Sequence, residues 1–464
     1  MQKLIPVFYS EYGRYINRFR SIPYLIDGLM PVERRILLTL HETSPKNSNK
    51  TIKSARVVGD AIGKYHPHGD VACYGTLVNL SKDGFVETQG AWGSPGLRDA
   101  PASAMRYTEC RIKDWLNILA FTNIEFVPWE TFELEPEPLF LPSPIPIGLI
   151  GTGVITGITF YRTLIPKFKL SDLAKRLQWL LELKTTEVDD GPLILPNFPG
   201  CKIYETDPGS VKQLLTTGVA SLKIVPDGKL ESKSIRILGR APNASFNSLI
   251  EDAKESGLYS VRCSSGSTID VVIELKKRDT NLNELAQNIW NKHLIKKHNY
   301  NSLYTDLEGN LHTVSIDQLL LNSYNAWKYT SYLKKINEYH KINEKKIDLL
   351  VIQIVRWIFN QYQCKTVTDV LDKFTDFIKQ EGVETLPIEL EQFDIGKKQW
   401  NKFIRGISII DVKQVCSNKS IRSLIENDID ISKIDTELKE KQNEINTLEQ
   451  YSVAFVQKLS VLDI

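Results

Sequence analysis

Apolar residues recur at helical spacing near the start of the chain. Val32, Ile36 and Leu40 fall on one face of a 3.6-residue repeat, which predicts a helix. Asp27-Gly28-Leu29-Met30-Pro31 reads as the turn into it, with Pro31 at the first helical position, where its missing N–H leaves no bond unmade. That spacing puts Arg34 and Arg35 away from the centre of the apolar face. Residues 53–80 predict two further helices joined by a Gly-Lys-Tyr-His-Pro-His-Gly turn, the second capped by Asp70. On the second helix Tyr74, Leu77 and Val78 form an apolar face, and Ala72, Gly75, Thr76 and Asn79 a side small enough for close approach to a groove. Farther on the pattern turns β-like, at Ser221–Val225, Ser234–Leu238 and Thr268–Leu275; the last, TIDVVIEL, has the make-up of a half-buried strand.

From about Ile316 to Tyr362 neither Pro nor Gly interrupts, as a long helix requires. Near the end, Leu438, Ile445, Ser452 and Leu459 recur every seven residues, with Lys441, Leu448 and Phe455 offset by three. This heptad stripe, with two polar interruptions, predicts a helix that packs back on Leu333, Ile336 and Ile347 as an antiparallel hairpin rather than a free dimeric zipper. The texture changes near residues 130, 316 and 425.

A chain of 464 residues is expected to form two to four domains, and 42% hydrophobic with 25% charged residues excludes a collagen-like or wholly disordered protein. Pro138 to Tyr161 carries no charge, but four prolines and four glycines interrupt it, so a buried extended segment is expected rather than a bilayer helix. With no apolar leader at the start, a soluble chain is expected. Six scattered cysteines without a C-x-x-C pair argue against a zinc ribbon or a disulfide framework and favour a reducing compartment. The net charge is only +2, so a nucleic-acid partner must be met by local charge.

Such a local excess exists. Residues 1–80 hold 11 Lys or Arg against 6 Asp or Glu, including Arg14, Arg18 and Arg20, which suits either phosphate contact or a solvated basic face. His66, His68 and the following helix N-terminus offer donors to a phosphate, while His66-x-His68-x-Asp70 is also a weak metal pattern. Gly59 to Tyr65 is not a phosphate-binding P-loop, because three residues rather than four separate its glycines. Beside Arg106 stands Tyr107, whose phenol has the chemistry to attack a phosphodiester and store the bond as a phosphotyrosine. An ordinary tyrosine pKa near 10 means that attack needs cationic help, for which Arg106 is suitably placed.

Taken together, IPYLIDGLMPVERRIL, KSARVVGDAIGKYHPHGD, QGAWGS and AMRYTE, followed by GTGVITG, NFPG and DVVIELKKRD, resemble the breakage-reunion (A) subunit of bacterial-type type IIA DNA topoisomerases, over essentially the whole chain. The resemblance implies an α+β multidomain fold: a winged-helix domain with the catalytic tyrosine (1–130), a tower domain (131–315), a coiled-coil arm (316–362 and 426–464) and a helical dimerisation gate (363–425). It makes Tyr107 the nucleophile joined to a DNA 5′ phosphate, Arg106 its transition-state neighbour, and Arg20, Arg35, His66 and His68 the residues that hold the scissile region. Lys53, Arg56, Lys64, Ala72, Gly75, Thr76 and Asn79 are the expected DNA contacts, and Val154 takes the place of an isoleucine that wedges between base pairs.

The implied assembly is a homodimer on double-stranded DNA with a separate B-type subunit (A2B2), cytoplasmic and nucleoid-associated, without a membrane partner. Mg²⁺ and ATP are expected on the B-type partner, with no metal on this chain; Asp428-Ile429-Asp430 mimics a metal motif but reads as a solvated turn. The chain ends after the closing helix, so the expectation is ATP-driven relaxation and decatenation rather than negative supercoiling. Val71 and Gly75 replace the serine and acidic residue that anchor quinolone binding in sensitive relatives, which implies weak poisoning. Two competing readings are a catalytically silent DNA clamp and a self-sufficient metal nuclease, for which only Glu109 and Asp114 stand near Tyr107.

Overall fold

The computed structural model describes residues 4–45, 48–93, 101–132, 134–158, 162–182, 191–242, 244–263, 268–276, 281–380 and 432–460. Two compact units are distinguished, one of Met1–Ser331 with Gln450–Ile464, the other Tyr332–Glu449.

The first unit begins with α1 (Leu4–Ile16) and a π-helical turn, Asn17–Ser21. Next come α2 (Pro31–Thr43), α3 (Ser54–Lys64) and α4 (Asp70–Lys82), beside an antiparallel sheet of β1 (Ile52–Lys53), β2 (Val86–Gln89) and β3 (Glu109–Ile112) in the order β1-β3-β2. As the spacing predicts, Pro31 opens α2, and Glu33 Oε2 accepts the Met30 N–H at 2.9 Å, satisfying a donor that the helix leaves open. Ile36, Leu40, Val57, Ala61, Cys73 and Leu77 knit the three helices together by burying one stripe of each. Two details differ from expectation. Asp70 is the first residue of α4 rather than its cap: Gly69 takes the cap position, and the Asp70 carboxylate accepts from Val71 N at 2.9 Å. Arg34 and Arg35 are buried, each by a carboxylate from outside the helix, because a buried cation persists only when paired.

After α5 (Asp114–Phe121) and a hairpin of β4 (Trp129–Thr131) and β5 (Pro136–Pro138), the uncharged segment is largely buried over 138–151, with one 3-10 turn at Ile147–Leu149 and Leu141, Ile145, Ile147 and Leu149 in the core, and its residues 159–161 lie outside the described residues. A Cβ on Gly148 would lie 1.9 Å from the Gly28 carbonyl, so this close backbone crossing needs glycine. A five-stranded antiparallel sheet follows, ordered β6 (Val154–Ile158), β7 (Arg162–Pro166), β14 (Lys296–Asn301), β9 (Val219–Pro226) and β8 (Cys201–Glu205), with α6 (Leu170–Glu182) and α7 (Ser210–Thr217). A second antiparallel sheet runs β10 (Gly228–Leu230), β11 (Ser234–Ile237), β13 (Val271–Leu275), β12 (Tyr259–Cys263) and shares a separate core with α8 (Phe246–Ser256) and α9 (Leu282–Ile289). The predicted strand at 221–225 lies in β9, and those at 234–238 and 268–275 overlap β11 and β13, with 238 and 268–270 outside them. A short hairpin of β15 (Leu303–Thr305) and β16 (Leu311–Thr313) precedes α10.

The long helix α10 spans Ile316–Tyr362, inside a stretch that neither Pro nor Gly interrupts, and ends before Gln363, whose φ is +49°. In the second unit α11 (Val367–Gln380) and α12 (Ser432–Asn446) follow, and α12 runs antiparallel to α10: Lys335 pairs with Glu444 at 2.7 Å, Glu338 with Lys441 at 2.9 Å and Lys346 with Asp435 at 2.6 Å. Lys441 is a polar interruption of the heptad because its amine serves two carboxylates, Glu338 and Glu444, which raise its pKa. The returning helix is broken once, at Thr447, before α13 (Leu448–Ser460), where Phe455 stacks on Trp327 at 5.3 Å. Most of the expected 363–425 region, and Asp428 and Asp430, lie outside the described residues. Among the described residues no helix is long and apolar enough to cross a membrane.

Candidate functional site

Tyr107 stands on the loop entering β3 and is 63% exposed. The Arg106 guanidinium lies over its ring, 4.6 Å from the centroid, placing a cation against the π face. The loop is held from beneath by its next residue. Thr108 is fully buried; its hydroxyl donates to Ser54 Oγ at 2.9 Å and lies 2.9 Å from the Tyr74 hydroxyl, and its carbonyl accepts from Ser54 N at 3.0 Å. Tyr74 in turn donates to the Ser103 carbonyl at 2.6 Å. The N-terminus of α3 and the middle of α4 thereby clamp the tyrosine loop on two sides. Ser54 Oγ donates its own proton to Cys110 Sγ at 3.7 Å, and burial pushes that thiol up to about 11, so it stays a neutral partner. A third side is Gly90, with φ +98°, where a Cβ would come within 2.8 Å of the Tyr107 carbonyl.

A second group is assembled around α2. Arg35 is 2% exposed, and its Nε and Nη2 fork onto Glu137, the shortest contact being 2.6 Å. Its Nη1 reaches His66 Nδ1 at 2.9 Å, and the His66 and His68 rings stack at 4.4 Å. The resemblance makes Arg35 a holder of the scissile region; in the structure it is turned inward, toward Glu137 and His66. Arg34 is likewise bound to Asp27; burial works against its charge, but the charge and hydrogen bonds of Asp27, with Glu137 beyond, together outweigh it and raise the guanidinium pKa. The expected basic face is partly neutralised in this way: Arg18 pairs with Glu130, Lys53 with Glu109, Lys64 with Glu42 and Arg56 more loosely with Asp60. Arg20 is exposed on the π-helical turn, 5.7 Å from the Tyr15 ring centroid.

The third group is the outer side of α4. Val71 is 81% exposed, Ala72, Gly75 and Asn79 are exposed, and Thr76 is half-buried with its hydroxyl on the Ala72 carbonyl at 3.0 Å. A Cβ at Gly75 would meet nothing within 4 Å, so neither packing nor backbone conformation demands the glycine there. Thr76 and Asn79 share a cleft of about 540 Å³ with Lys82, Val154, Lys167 and Arg240. Val154, half-buried at the start of β6, is therefore brought to the same concavity as α4. The cleft wall is fixed by Lys167, paired with Asp83 at 2.5 Å, whose other oxygen accepts from Thr152 N.

The donor set around Tyr107 does not fit a magnesium ion on this chain alone. Glu109 is bound by Lys53 and Thr51, which hold its pKa down, and Glu87 and Asp114 both serve Arg111. The His66-x-His68-x-Asp70 pattern is no better, since His66 Nδ1 faces Arg35 and Asp70 turns back on Val71. Among the described residues no group of three His, Cys, Asp or Glu side chains is arranged to hold a metal. Sequence reading missed Ser54, Tyr74, Thr108 and Glu137. None carries a local signal, for their partners lie 29 to 102 residues away.

Comparison with known proteins bears on these three groups. The family model for the A subunit of DNA gyrase/topoisomerase IV matches residues 20–461. The topoisomerase 4 A subunit of Haemophilus influenzae is 33% identical over 277 residues, 53% of this chain and 36% of that protein. That of Bacillus subtilis is 31% identical over 305 residues, 60% of this chain and 37% of that protein. The gyrase A subunit of Brachyspira hyodysenteriae is 29% identical over 296 residues, 58% of this chain and 35% of that protein. The matched region thus spans about a third of the length of these curated relatives. With the match running through all three groups and nearly the whole chain, this protein belongs to the DNA gyrase/topoisomerase IV A-subunit family.

Proposed function

We propose that this chain is the DNA-cleaving subunit of an ATP-dependent type IIA topoisomerase. The observation that carries the reading is the exposed Tyr107 with Arg106 over its ring, on a loop clamped by Thr108 beside the small outer face of α4. Tyr107 Oη attacks the scissile phosphorus, and the P–O3′ bond breaks as the P–Oη bond forms. The phenol proton is released and the departing 3′ oxygen takes up a proton; resealing is the reverse. Arg106 offsets charge on the phosphoryl oxygens. Lys53, Arg56, Lys64 and Arg20 meet the backbone, exchanging some intramolecular partners for phosphates. Ala72, Gly75, Thr76 and Asn79 lie against the groove and Val154 presses on a base step, which the shared cleft supports.

Residues 1–130 act as a winged-helix domain, 131–315 as a tower, 316–362 with 426–464 as a coiled-coil arm, and 363–425 as the gate of a homodimer. A B-type subunit brings ATP and Mg²⁺ in an A2B2 complex in the cytoplasm, since the carboxylates beside Tyr107 are already taken. The test mixes the chain with its cognate B-type partner, Mg²⁺ and end-labelled duplex, and quenches with denaturant. A covalent protein–5′-DNA adduct is expected, and is expected to vanish in Tyr107→Phe. DNA binding without any adduct under varied metal conditions refutes the reading and leaves a clamp.

A further inference from the structure

We infer that Glu137, acting through Arg35, is a positioning residue that fixes the tautomer of His66; its role in cleavage rests on the function proposed above. Arginine has N–H donors and no acceptor, so the 2.9 Å contact from Arg35 Nη1 makes His66 Nδ1 the acceptor. The ring proton then sits on Nε2, the nitrogen that would turn to a phosphate oxygen in the proposed cleavage complex. A planar guanidinium held at two nitrogens has its third nitrogen placed as well, and Glu137 supplies that hold with contacts of 3.1, 2.8 and 2.6 Å.

The support under the relay is rigid. Glu137 lies between Pro136 and Pro138 in β5, where both neighbours have φ locked by their rings. The Arg35 turn of α2 is tied by Thr39 Oγ1, which donates to the Arg35 carbonyl at 2.8 Å. His66 is anchored through its backbone N–H to the Ala61 carbonyl at 2.8 Å, at the end of α3. Glu137 is 4% exposed and His66 7%, so bulk water does not replace either partner freely. The His66 ring stacks on His68 at 4.4 Å. A carboxylate distant in the chain from both histidines thereby decides which nitrogen donates.

The test uses the full chain with its B-type partner, Mg²⁺ and duplex DNA, in a double-mutant cycle of Glu137→Gln and His66→Ala. Single-turnover cleavage should slow on the order of tenfold for Glu137→Gln in the wild-type background, as when a positioning partner is lost, and not further in His66→Ala. DNA binding should change little. Separately, ¹⁵N spectra of histidine-labelled wild type should show His66 unprotonated at Nδ1. Equal slowing in both backgrounds, or none in either, overturns the proposal, and so does a proton on Nδ1. Should Glu137→Gln fail to fold, the wild-type spectrum decides alone. If the wild type itself forms no adduct, the function falls, while the spectrum still tests the relay.

Discussion

Gly90→Ala perturbs the tyrosine loop without touching a reacting group. The new Cβ would lie 2.8 Å from the Tyr107 carbonyl, and ordinary contact begins at 3.4 Å, so the loop or the turn must give about 0.6 Å. Position 90 has φ +98°, a conformation that costs an L-residue about 1–3 kcal/mol. The loop yields rather than the turn only at the expense of the Thr108 clamp, whose hydroxyl contacts to Ser54 and Tyr74 are each 2.9 Å. Expected is a melting temperature lower by a few degrees, with a much larger loss of cleavage. A displacement of about 1 Å costs roughly 100-fold in a positioned reaction, so adduct formation should fall at least tenfold per folded molecule. Thermal melting and quenched cleavage on the same preparation separate the two effects. Gly59→Ala, in the middle of α3, is the control: its Cβ meets nothing, and in mid-helix alanine is favoured over glycine by about 0.5–1 kcal/mol. A Gly90→Ala protein that melts and cleaves as wild type refutes the clamp geometry.

Asp27→Asn should destabilise the first unit by about 3–5 kcal/mol, because Asp27 is the buried counter-charge of Arg34 and accepts from Leu29 N and Leu141 N as well; a urea midpoint unchanged from wild type contradicts this. At Asp306 burial works against ionisation, but hydrogen bonds from His312 and Asn310 outweigh it and hold the carboxyl at about 2. Its folded pKa is therefore below the unfolded value near 3.9, so its contribution, about 2 kcal/mol, is present above pH 4 and lost as pH falls toward 2. Asp306→Asn should remove that component from an acid-unfolding curve and leave the rest of the curve in place. Val71→Ser with Gly75→Glu should raise fluoroquinolone-stabilised adduct at a given drug concentration, since both positions are exposed and no fold constraint opposes the change. Poisoning of the unaltered protein at ordinary gyrase-like drug levels overturns it.

Local pattern carried far in this chain. The uninterrupted length of α10, the Pro31 start of α2, the turn between α3 and α4 and the small outer face of α4 are all consequences of residue type at short range. The uncharged run after Pro138 was legible as largely buried and without a long helix for the same reason: prolines and glycines bar one, and none of its side chains is charged. The single closing helix was not fully legible, because the heptad continues through Thr447 while the backbone breaks there. Nor was the fate of the arginines. A helical repeat places Arg35 at the edge of an apolar face, and Glu137, 102 residues later, decides that it goes inward.

The sequence by itself singled out the residues proposed to carry the chemistry, Tyr107 with Arg106 and the histidine pair, and most of the elements that bear them. Only the tertiary structure decided what holds those residues in place. The Thr108 clamp and the Glu137–Arg35–His66 relay are made of pairs far apart along the chain. The relay and the Thr108–Ser54 contact are buried, where a hydrogen bond or ion pair is strong if complete and costly if broken. Sequence spacing encodes one face of one element, whereas burial of a polar partner depends on which elements meet.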